Sequence, residues 1–308
     1  MDYLFADDTS ILYANENIRI LETVVNTELK KLHDWLASNK LSLNIQKTNF
    51  IIFHPYQKHL NYQPTIEVFD IDAETYTPIQ NKNYVKYLGI LIDKNLTWKH
   101  HIDHISTRIS KTVGLLAKLR HHIPFHTLLK IYQSLILPYI SYGITVWGQA
   151  SNTLFTKILL LQKRALRLMH FAHRNKHAVP LFVETKVLPI NFLYFKSVIN
   201  LMHDIYTKTA PPNILNMFKE ISTVHTYNTR SSVKKNFYIL NKPNLEKARR
   251  SIPILGAKLW NEIPSSVREL TKKGFKQKIT SILYDILKDK DEYQIEVSRI
   301  ATEIKLRI

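Results

Sequence analysis

The feature that most constrains this chain is a change in its hydrophobic pattern near Trp98. Before that residue, apolar side chains occur in short extended runs separated by polar turns, which is typical of β-strands. After it, they recur every three or four residues over long stretches, which is typical of amphipathic helices. The sequence therefore predicts an α+β first part followed by a mostly α-helical second part.

The first part opens with two extended runs around an acidic turn. Residues 1–5 and 10–14 are predicted to pair as a β-hairpin, with Asp7 and Asp8 in the turn between them. Apolar residues at helical spacing from Ile18 to Ser38 predict one amphipathic helix that can cover a sheet. Further short strands are predicted by the same criteria at residues 50–53, 67–71 and 87–92.

The second part is predicted to be a helical bundle. Its apolar stripes run over residues 102–119, 128–135 and 158–168, and a last long helix is predicted over 271–287. Tyr139, Tyr142 and Trp147 are predicted to fill the core between these helices. Pro211 and Pro212 mark a predicted linker. We therefore expect three regions, residues 1–98, 99–210 and 211–308.

The two parts also differ in charge. Residues 1–98 carry 9 basic and 12 acidic side chains, whereas the remaining residues carry 34 basic and 13 acidic ones. A net charge of +21 on the second part favours a polyanion as its partner, because each phosphate that a Lys or Arg neutralises releases a condensed counterion. The alternative is a generically basic, solvated helical surface.

Composition excludes several classes of protein. Without cysteine there is no disulfide framework, thiolate metal site or thiol nucleophile. No run of apolar residues is long enough for a membrane span, and the first residues lack the pattern of a signal peptide. We expect an intracellular protein without a membrane partner, with the choice between nucleus and cytoplasm left open.

The acidic turn has a possible chemical use. Two adjacent carboxylates held by a rigid hairpin are oxygen ligands that suit a magnesium ion carrying phosphates. The alternative is a plain turn, in which Asp hydrogen-bonds its neighbouring backbone. The dipeptide alone does not distinguish the two.

Five segments of the chain carry motifs that occur in a known order. The first, Phe5-Ala6-Asp7-Asp8, resembles motif C of reverse transcriptases from jockey-like retrotransposons that lack long terminal repeats. The second, Asn39 to Thr48, resembles their motif D with its Asn-x-x-Lys-Thr pattern. The third, Tyr87-Leu88-Gly89 continuing to Trp98, resembles the primer-grip hairpin and the start of the thumb. The fourth, Leu137 to Gly148, resembles the thumb. The fifth comprises Tyr227 to Arg230 and Gly256 to Asn261 and resembles the C-terminal region.

The resemblance implies a fold, an activity and site residues. It implies part of a polymerase palm over 1–98, a helical thumb over 99–210 and a basic helical extension over 211–308. Asp7 and Asp8 would be catalytic metal ligands for Mg²⁺, and Lys47 a catalytic lysine near the leaving pyrophosphate. The primer grip would comprise Tyr87, Leu88 and Gly89. The partners would be an RNA template and a DNA primer or their duplex, contacted by Lys157, Lys163, Arg164, Arg167, Arg174 and Lys176.

The sequence also departs from the family pattern. Reverse transcriptases place the motif A aspartate and motif B before motif C, and in this sequence neither precedes Phe5. Asp70 and Asp72 follow motif D and are favoured as residues of an ordinary strand. We therefore expect a polymerase fragment that is inactive alone. The alternatives are a noncatalytic RNA- or DNA-binding module and a nonfunctional remnant.

One further cluster has metal-ligand spacing. His100 and His104 lie four residues apart on a predicted helix, a spacing that suits zinc. Without a third specific ligand, a solvated helix face is the favoured interpretation, with Asp103 paired to a neighbour.

Overall fold

A computed structural model of the protein describes residues 2–5, 8–58, 60–70, 74–224, 236–238, 248, 250–289 and 297–306. The chain divides into two compact units, Met1–His100 and His101–Ile308. The first combines short strands with one long helix, and the second is helical, so the predicted α+β class is confirmed.

The first unit contains four two-stranded sheets. Its strands are β1 (Asp2–Phe5), β2 (Asp8–Ile11), β3 (Asn49–Phe50), β4 (Glu67–Asp70), β5 (Thr75–Pro78), β6 (Gln80–Asn81), β7 (Tyr84–Tyr87) and β8 (Ile90–Asp93). The pairs β1–β2, β4–β5 and β7–β8 are antiparallel, whereas β3 and β6 pair in parallel. The predicted first hairpin is present, but its second strand is Asp8–Ile11 instead of residues 10–14. Asp8 therefore pairs with Phe5 at the closed end of the hairpin and does not lie in the turn.

Helix α1 (Ile18–Ser38) has the predicted bounds and begins at Asn17, whose side-chain oxygen accepts the backbone N–H of Arg19 at 2.9 Å. Its apolar stripe faces β4. Leu29 and Leu36 of the helix line the same small cavity as Val68 and Phe69. The helix nevertheless buries none of its residues completely.

The β7–β8 hairpin corrects the predicted continuous strand over 87–92. Leu88 and Gly89 have φ angles of 45° and 82° and separate the paired residues Tyr87 and Ile90. Two successive residues with positive φ are the signature of a type I′ hairpin turn, which matches the twist of the flanking strands. Leu88 takes this conformation at some cost, since a Cβ disfavours it.

The second unit is built from helices. They are α2 (Lys99–Leu119, which starts at the boundary), α3 (Phe125–Leu135), α4 (Leu137–Ser141), α5 (Ile144–Trp147), α6 (Asn152–Met169), α7 (Val179–Glu184), α8 (Ile190–Tyr206), α9 (Pro212–Leu215), α10 (Ile221–Val224), α11 (Ile252–Glu262), α12 (Ser265–Arg268), α13 (Lys272–Asp289) and α14 (Val297–Leu306). The predicted helix over 271–287 corresponds to α13. Residues 225–235 and 239–247, which include the Tyr227 to Arg230 part of the fifth segment, lie outside the described residues.

Helix α8 is the centre of the second unit. It contacts α4, α5 and α6 as well as α11, α13 and α14. Phe192, Phe195 and Met202 are completely buried, as expected of a helix that is apolar on most of its circumference. No helix in the described ranges is long and apolar enough to cross a membrane.

Two buried polar side chains join the helices of this unit. Gln162 donates to the Tyr132 hydroxyl at 2.9 Å and accepts the backbone N–H of Ile190 at 2.9 Å. Arg268 donates to the Ile263 carbonyl at 2.7 Å and to the Asn236 side chain at 2.9 Å. Because these groups have partners, their burial fixes how the helices pack instead of opposing it.

Candidate nucleic-acid interface

The acidic residues of the motif C segment are only partly described. Asp8 begins β2, and its side chain is exposed at the closed end of the hairpin. Asp7 lies outside the described residues. No group of three or more His, Asp or Glu side chains suited to a metal ion occurs in the described part of the chain.

The Asn-x-x-Lys-Thr segment forms a hydrogen-bonded turn. The Asn44 side chain accepts the backbone N–H of Lys47 at 3.1 Å, and the Asn44 carbonyl accepts the Thr48 hydroxyl at 2.8 Å. Asn44 and Thr48 therefore fix the turn, and the Lys47 side chain remains exposed. This arrangement explains the spacing of the three residue types: two hold the backbone and one is presented to solvent.

The predicted primer-grip residues lie in the β7–β8 turn. Tyr87 and Leu88 are half-buried, and Gly89 is exposed. At the far end of β8, the buried Asp93 accepts the backbone N–H groups of Thr97 at 2.9 Å and Trp98 at 2.8 Å. Sequence reasoning did not assign Asp93 this positioning function, although an Asp side chain commonly accepts the backbone N–H two residues on, as Asp93 does from Asn95 at 3.2 Å.

A cleft of about 630 Å³ opens beside these elements in the first unit. Its described lining includes Tyr56, Lys58 and Lys94 and contains amide and apolar side chains but no carboxylate. The lining thus differs in charge from the net acidic unit that contains it.

The basic residues predicted to contact nucleic acid do not all share one surface. Lys157, Arg164, Arg174 and Lys176 are exposed, and Arg167 is half-buried. Lys157 and Arg164 are seven residues apart on α6, which places them on the same side of the helix. Lys163 is turned away from that side and is 6% exposed, so little of it is available for a phosphate.

Two contacts order this basic surface. Lys157 lies 2.8 Å from the carboxylate of Asp103 on α2. Arg167 donates its Nε–H to the Lys176 carbonyl at 2.8 Å, which ties the segment after α6 back onto the helix. Arg174 and Lys176 therefore lie on a turn that is attached to α6. We call Lys157, Arg164, Arg167, Arg174 and Lys176 the α6 basic surface.

The other candidates are distributed elsewhere. His100 stacks on Tyr84, with ring centroids 4.4 Å apart, and Asp103 is paired with Lys157. Trp147 is fully buried as predicted, but the prediction is wrong for Tyr139 and Tyr142, which are 38% and 57% exposed. The Tyr142 carbonyl accepts the Trp147 indole N–H at 2.8 Å, so the backbone of Tyr142 supports Trp147 while its ring remains outside.

Comparison with known proteins finds relatives that align with about half of the chain. The RNA-directed DNA polymerase from mobile element jockey of Drosophila funebris is 28% identical over 169 residues, which are 53% of this chain and 17% of that protein. Its counterpart in Drosophila melanogaster is 26% identical over 167 residues, 53% of this chain and 17% of that protein. The chain is homologous to retrotransposon RNA-directed DNA polymerases.

A third relative widens the group beyond jockey. The retrovirus-related Pol polyprotein from type-1 retrotransposable element R1 of Bradysia coprophila is 26% identical over 176 residues, 56% of this chain and 16% of that protein. The aligned segments thus span less than a fifth of the length of these relatives. Neither a protein-family model nor a solved structure matches the chain.

Proposed function

We propose that the chain is a region of a retrotransposon RNA-directed DNA polymerase in which the second unit binds the backbone of a primer–template duplex. The observation that carries the proposal is the α6 basic surface, in a unit whose net charge is strongly positive. Lys157 and Arg164 are two helical turns apart, about 10 Å along the axis, so that they meet successive parts of one backbone. Phosphate contacts of this kind position a duplex without selecting its sequence.

The first unit, in this proposal, carries part of the polymerization site. Asp7 and Asp8 contribute carboxylates from the motif C hairpin, and the exposed Lys47 provides a proton donor near the leaving pyrophosphate. Tyr87, Leu88 and Gly89 guide the primer end by means of the rigid type I′ turn. These roles follow from the homology together with the exposure of Asp8 and Lys47.

Magnesium fits these residues only in part. Of the two motif C carboxylates, only that of Asp8 belongs to the described residues. Asp8 is not part of any group of three or more His, Asp or Glu side chains suited to a metal ion in that part of the chain. An ion that carries substrate phosphates needs several oxygen ligands in fixed positions. We therefore assign no reaction step to a metal held by these residues alone.

We also infer that residues 1–308 in isolation do not extend a DNA primer on an RNA template. The motif C pair would hold a catalytic metal only together with a carboxylate from motif A, and that metal would stabilise the charge on the reacting phosphate. Adding a polypeptide that supplies motifs A and B should restore extension, and Asp8→Ala should then reduce it. Template-dependent extension by residues 1–308 alone would overturn the inference.

The binding proposal is tested by the salt dependence of affinity for an RNA–DNA duplex. The double variant Arg164→Glu/Arg174→Glu should bind at least tenfold more weakly. Its log affinity should also fall less steeply with log salt concentration, with a slope smaller in magnitude by about 2, since two phosphate contacts are lost. The control is Lys130→Glu/Lys258→Glu, which changes net charge equally at exposed positions on α3 and α11.

The two variants distinguish phosphate contacts at the α6 basic surface from a general effect of net charge. If both lose affinity equally, the surface acts only through net charge, and the assigned interface is wrong. If residues 1–308 bind duplex as predicted but the complemented protein never extends a primer, the noncatalytic binding module becomes the better description.

A further inference from the structure

Phe171 has an unusual combination of backbone strain and exposure. It follows α6, has φ 51° and is 57% exposed. The Ala172 N–H donates to the Arg167 carbonyl at 2.9 Å, and the Phe171 N–H to the Leu168 carbonyl at 3.3 Å. These two bonds form a Schellman motif, whose left-handed position is usually occupied by glycine because a Cβ disfavours it.

Other helix ends in the chain show what this position ordinarily holds. The corresponding residues after α1, α7 and α8 are Lys40, Lys186 and Lys208, with φ angles of 56°, 52° and 57°. Each is a long polar side chain, which suits a position that projects into solvent. Phe171 places an aromatic ring at such a position, where the ring neither relieves the backbone strain nor fills the core.

The ring of Phe171 lies beside a guanidinium. The Cζ atom of Arg120 is 5.3 Å from the ring centroid, and the ring of His121 meets Phe171 edge-on at 5.2 Å. Arg120 donates its Nε–H to His121 Nε2 at 3.0 Å, and this bond fixes the guanidinium over the ring. The arrangement is therefore an ordered cation–π pair with more than half of the aromatic residue open to solvent.

The charge around Phe171 indicates the chemistry of a ligand. Arg167 precedes it on α6, Arg174 and Lys176 follow it, and the Arg167–Lys176 hydrogen bond keeps the two segments together. One carboxylate, that of Glu184, lies 3.6 Å from Nδ1 of His170, the residue before Phe171. A flat exposed ring flanked by cations suits a ligand that has both a π-face and an anionic group, which is the chemistry of a nucleotide.

We propose that Phe171, with Arg120, is a stacking site for an unpaired base of a single-stranded RNA or DNA segment. This site rests on the proposed function, because the α6 basic surface holds the adjoining backbone while Phe171 stacks on the first base that leaves the duplex. The pair thus marks the junction between double-stranded and single-stranded nucleic acid.

The test compares two probes on the full 308-residue chain: a blunt RNA–DNA duplex, and the same duplex with a short single-stranded RNA overhang containing 2-aminopurine. Phe171→Gly removes the ring and suits the backbone, so it should retain or raise the melting temperature. It should weaken binding of the overhang probe by 5- to 50-fold and abolish the change in 2-aminopurine fluorescence on binding. Binding of the blunt duplex should stay unchanged.

Two further variants control for ring chemistry and for exposed apolar surface. Phe171→Tyr keeps the aromatic face and should retain the affinity for the overhang. Leu160→Ala removes another exposed apolar side chain of α6, 55% exposed, and should leave both probes unaffected. An equal effect of Leu160→Ala and Phe171→Gly would contradict stacking.

The outcomes separate this inference from the proposed function. If the variant Arg164→Glu/Arg174→Glu loses duplex affinity but Phe171→Gly binds both probes like the wild type, the stacking site is refuted and the duplex interface stands. The exposed ring would then be better explained as a contact for a protein. If the wild-type chain binds neither probe, both proposals fail.

Discussion

The two units of the chain bury their apolar side chains to different depths. In the second unit, α8 alone contributes Phe192, Phe195 and Met202 as completely buried residues. In the first unit, the buried apolar side chains among the described residues are Ile66, Val68 and Trp98, and α1 is half-buried along its stripe. The second unit is therefore stabilised by a close-packed core, whereas the first depends more on hydrogen-bonded turns.

Polar contacts of α1 compensate in part for the small number of buried apolar side chains in the first unit. Glu22 accepts the Tyr62 hydroxyl at 2.5 Å and the Thr65 N–H at 2.7 Å. Asn26 binds the backbone on both sides, donating to the Thr65 carbonyl and accepting the Glu67 N–H, each at 3.0 Å. Such contacts open locally at lower cost than a buried core does. The unit that contains the segments resembling motifs C and D is thus the one we expect to be more easily deformed.

The strongest test of this difference truncates the same residue type in each unit. Phe195→Ala removes a completely buried ring and should cost about 3–5 kcal/mol of unfolding free energy. Phe69→Ala removes a half-buried ring and should cost about 1–2 kcal/mol, since less area returns to water. Urea unfolding followed by circular dichroism measures both. Equal losses would show that the first unit is packed as tightly as the second.

The second unit should also weaken in acid because of His101. Burial, with a smaller effect of His104, lowers the pKa of His101 to about 4 from its usual 6.5. The unfolded chain therefore takes up this proton first, and stability falls as pH drops from about 6.5 to about 4, by roughly 2–3 kcal/mol.

Urea midpoints at pH 7 and pH 4 for the wild type and His101→Gln isolate this effect. The variant should lack the part of the acid loss that belongs to His101, whereas His122→Gln, at an exposed position, should retain it. An identical pH response in wild type and His101→Gln would refute the assignment.

Two glycines distinguish tight packing from open surface within the second unit. A Cβ at Gly148 would lie 2.3 Å from ring atoms of Tyr194, so Gly148→Ala should cost about 1–3 kcal/mol. A Cβ at Gly114 in α2 meets nothing within 4 Å, so Gly114→Ala should stabilise the helix by about 0.5–1 kcal/mol. Melting temperatures that shift in the same direction for both variants would contradict this contrast.

A modest effect is also expected from the polar contacts of the first unit. Asn26→Ala removes two hydrogen bonds between α1 and the segment before β4 and should cost about 1–2 kcal/mol. Thr27→Ala, which removes only a bond to the Thr23 carbonyl within the helix, is the control and should be nearly neutral. Hydrogen exchange should show faster exchange at Glu67 in Asn26→Ala alone. Unchanged protection there would mean that apolar contacts suffice to hold the segment.

The sequence identified many residues of the candidate site, but it did not show which of them are exposed on one surface. The Asn-x-x-Lys-Thr spacing pointed to Lys47, which the structure leaves exposed on a turn fixed by Asn44 and Thr48. Lys163 was grouped with its neighbours in sequence, although a rotation of about 100° per residue separates it from Arg164 on a helix. Helical periodicity was therefore the signal that distinguishes these two residues.

The local pattern of the sequence by itself determined where α1 and α13 form and that positive charge gathers in the second part. Periodicity and charge are properties of residues close together in the sequence, so they can be recognised without knowledge of the fold. Only the tertiary structure decided that α1 covers β4, that Tyr142 stays outside while Trp147 is buried, and that Arg120 lies over Phe171. These contacts join residues from different elements, and their geometry depends on how whole helices pack, which no local pattern encodes.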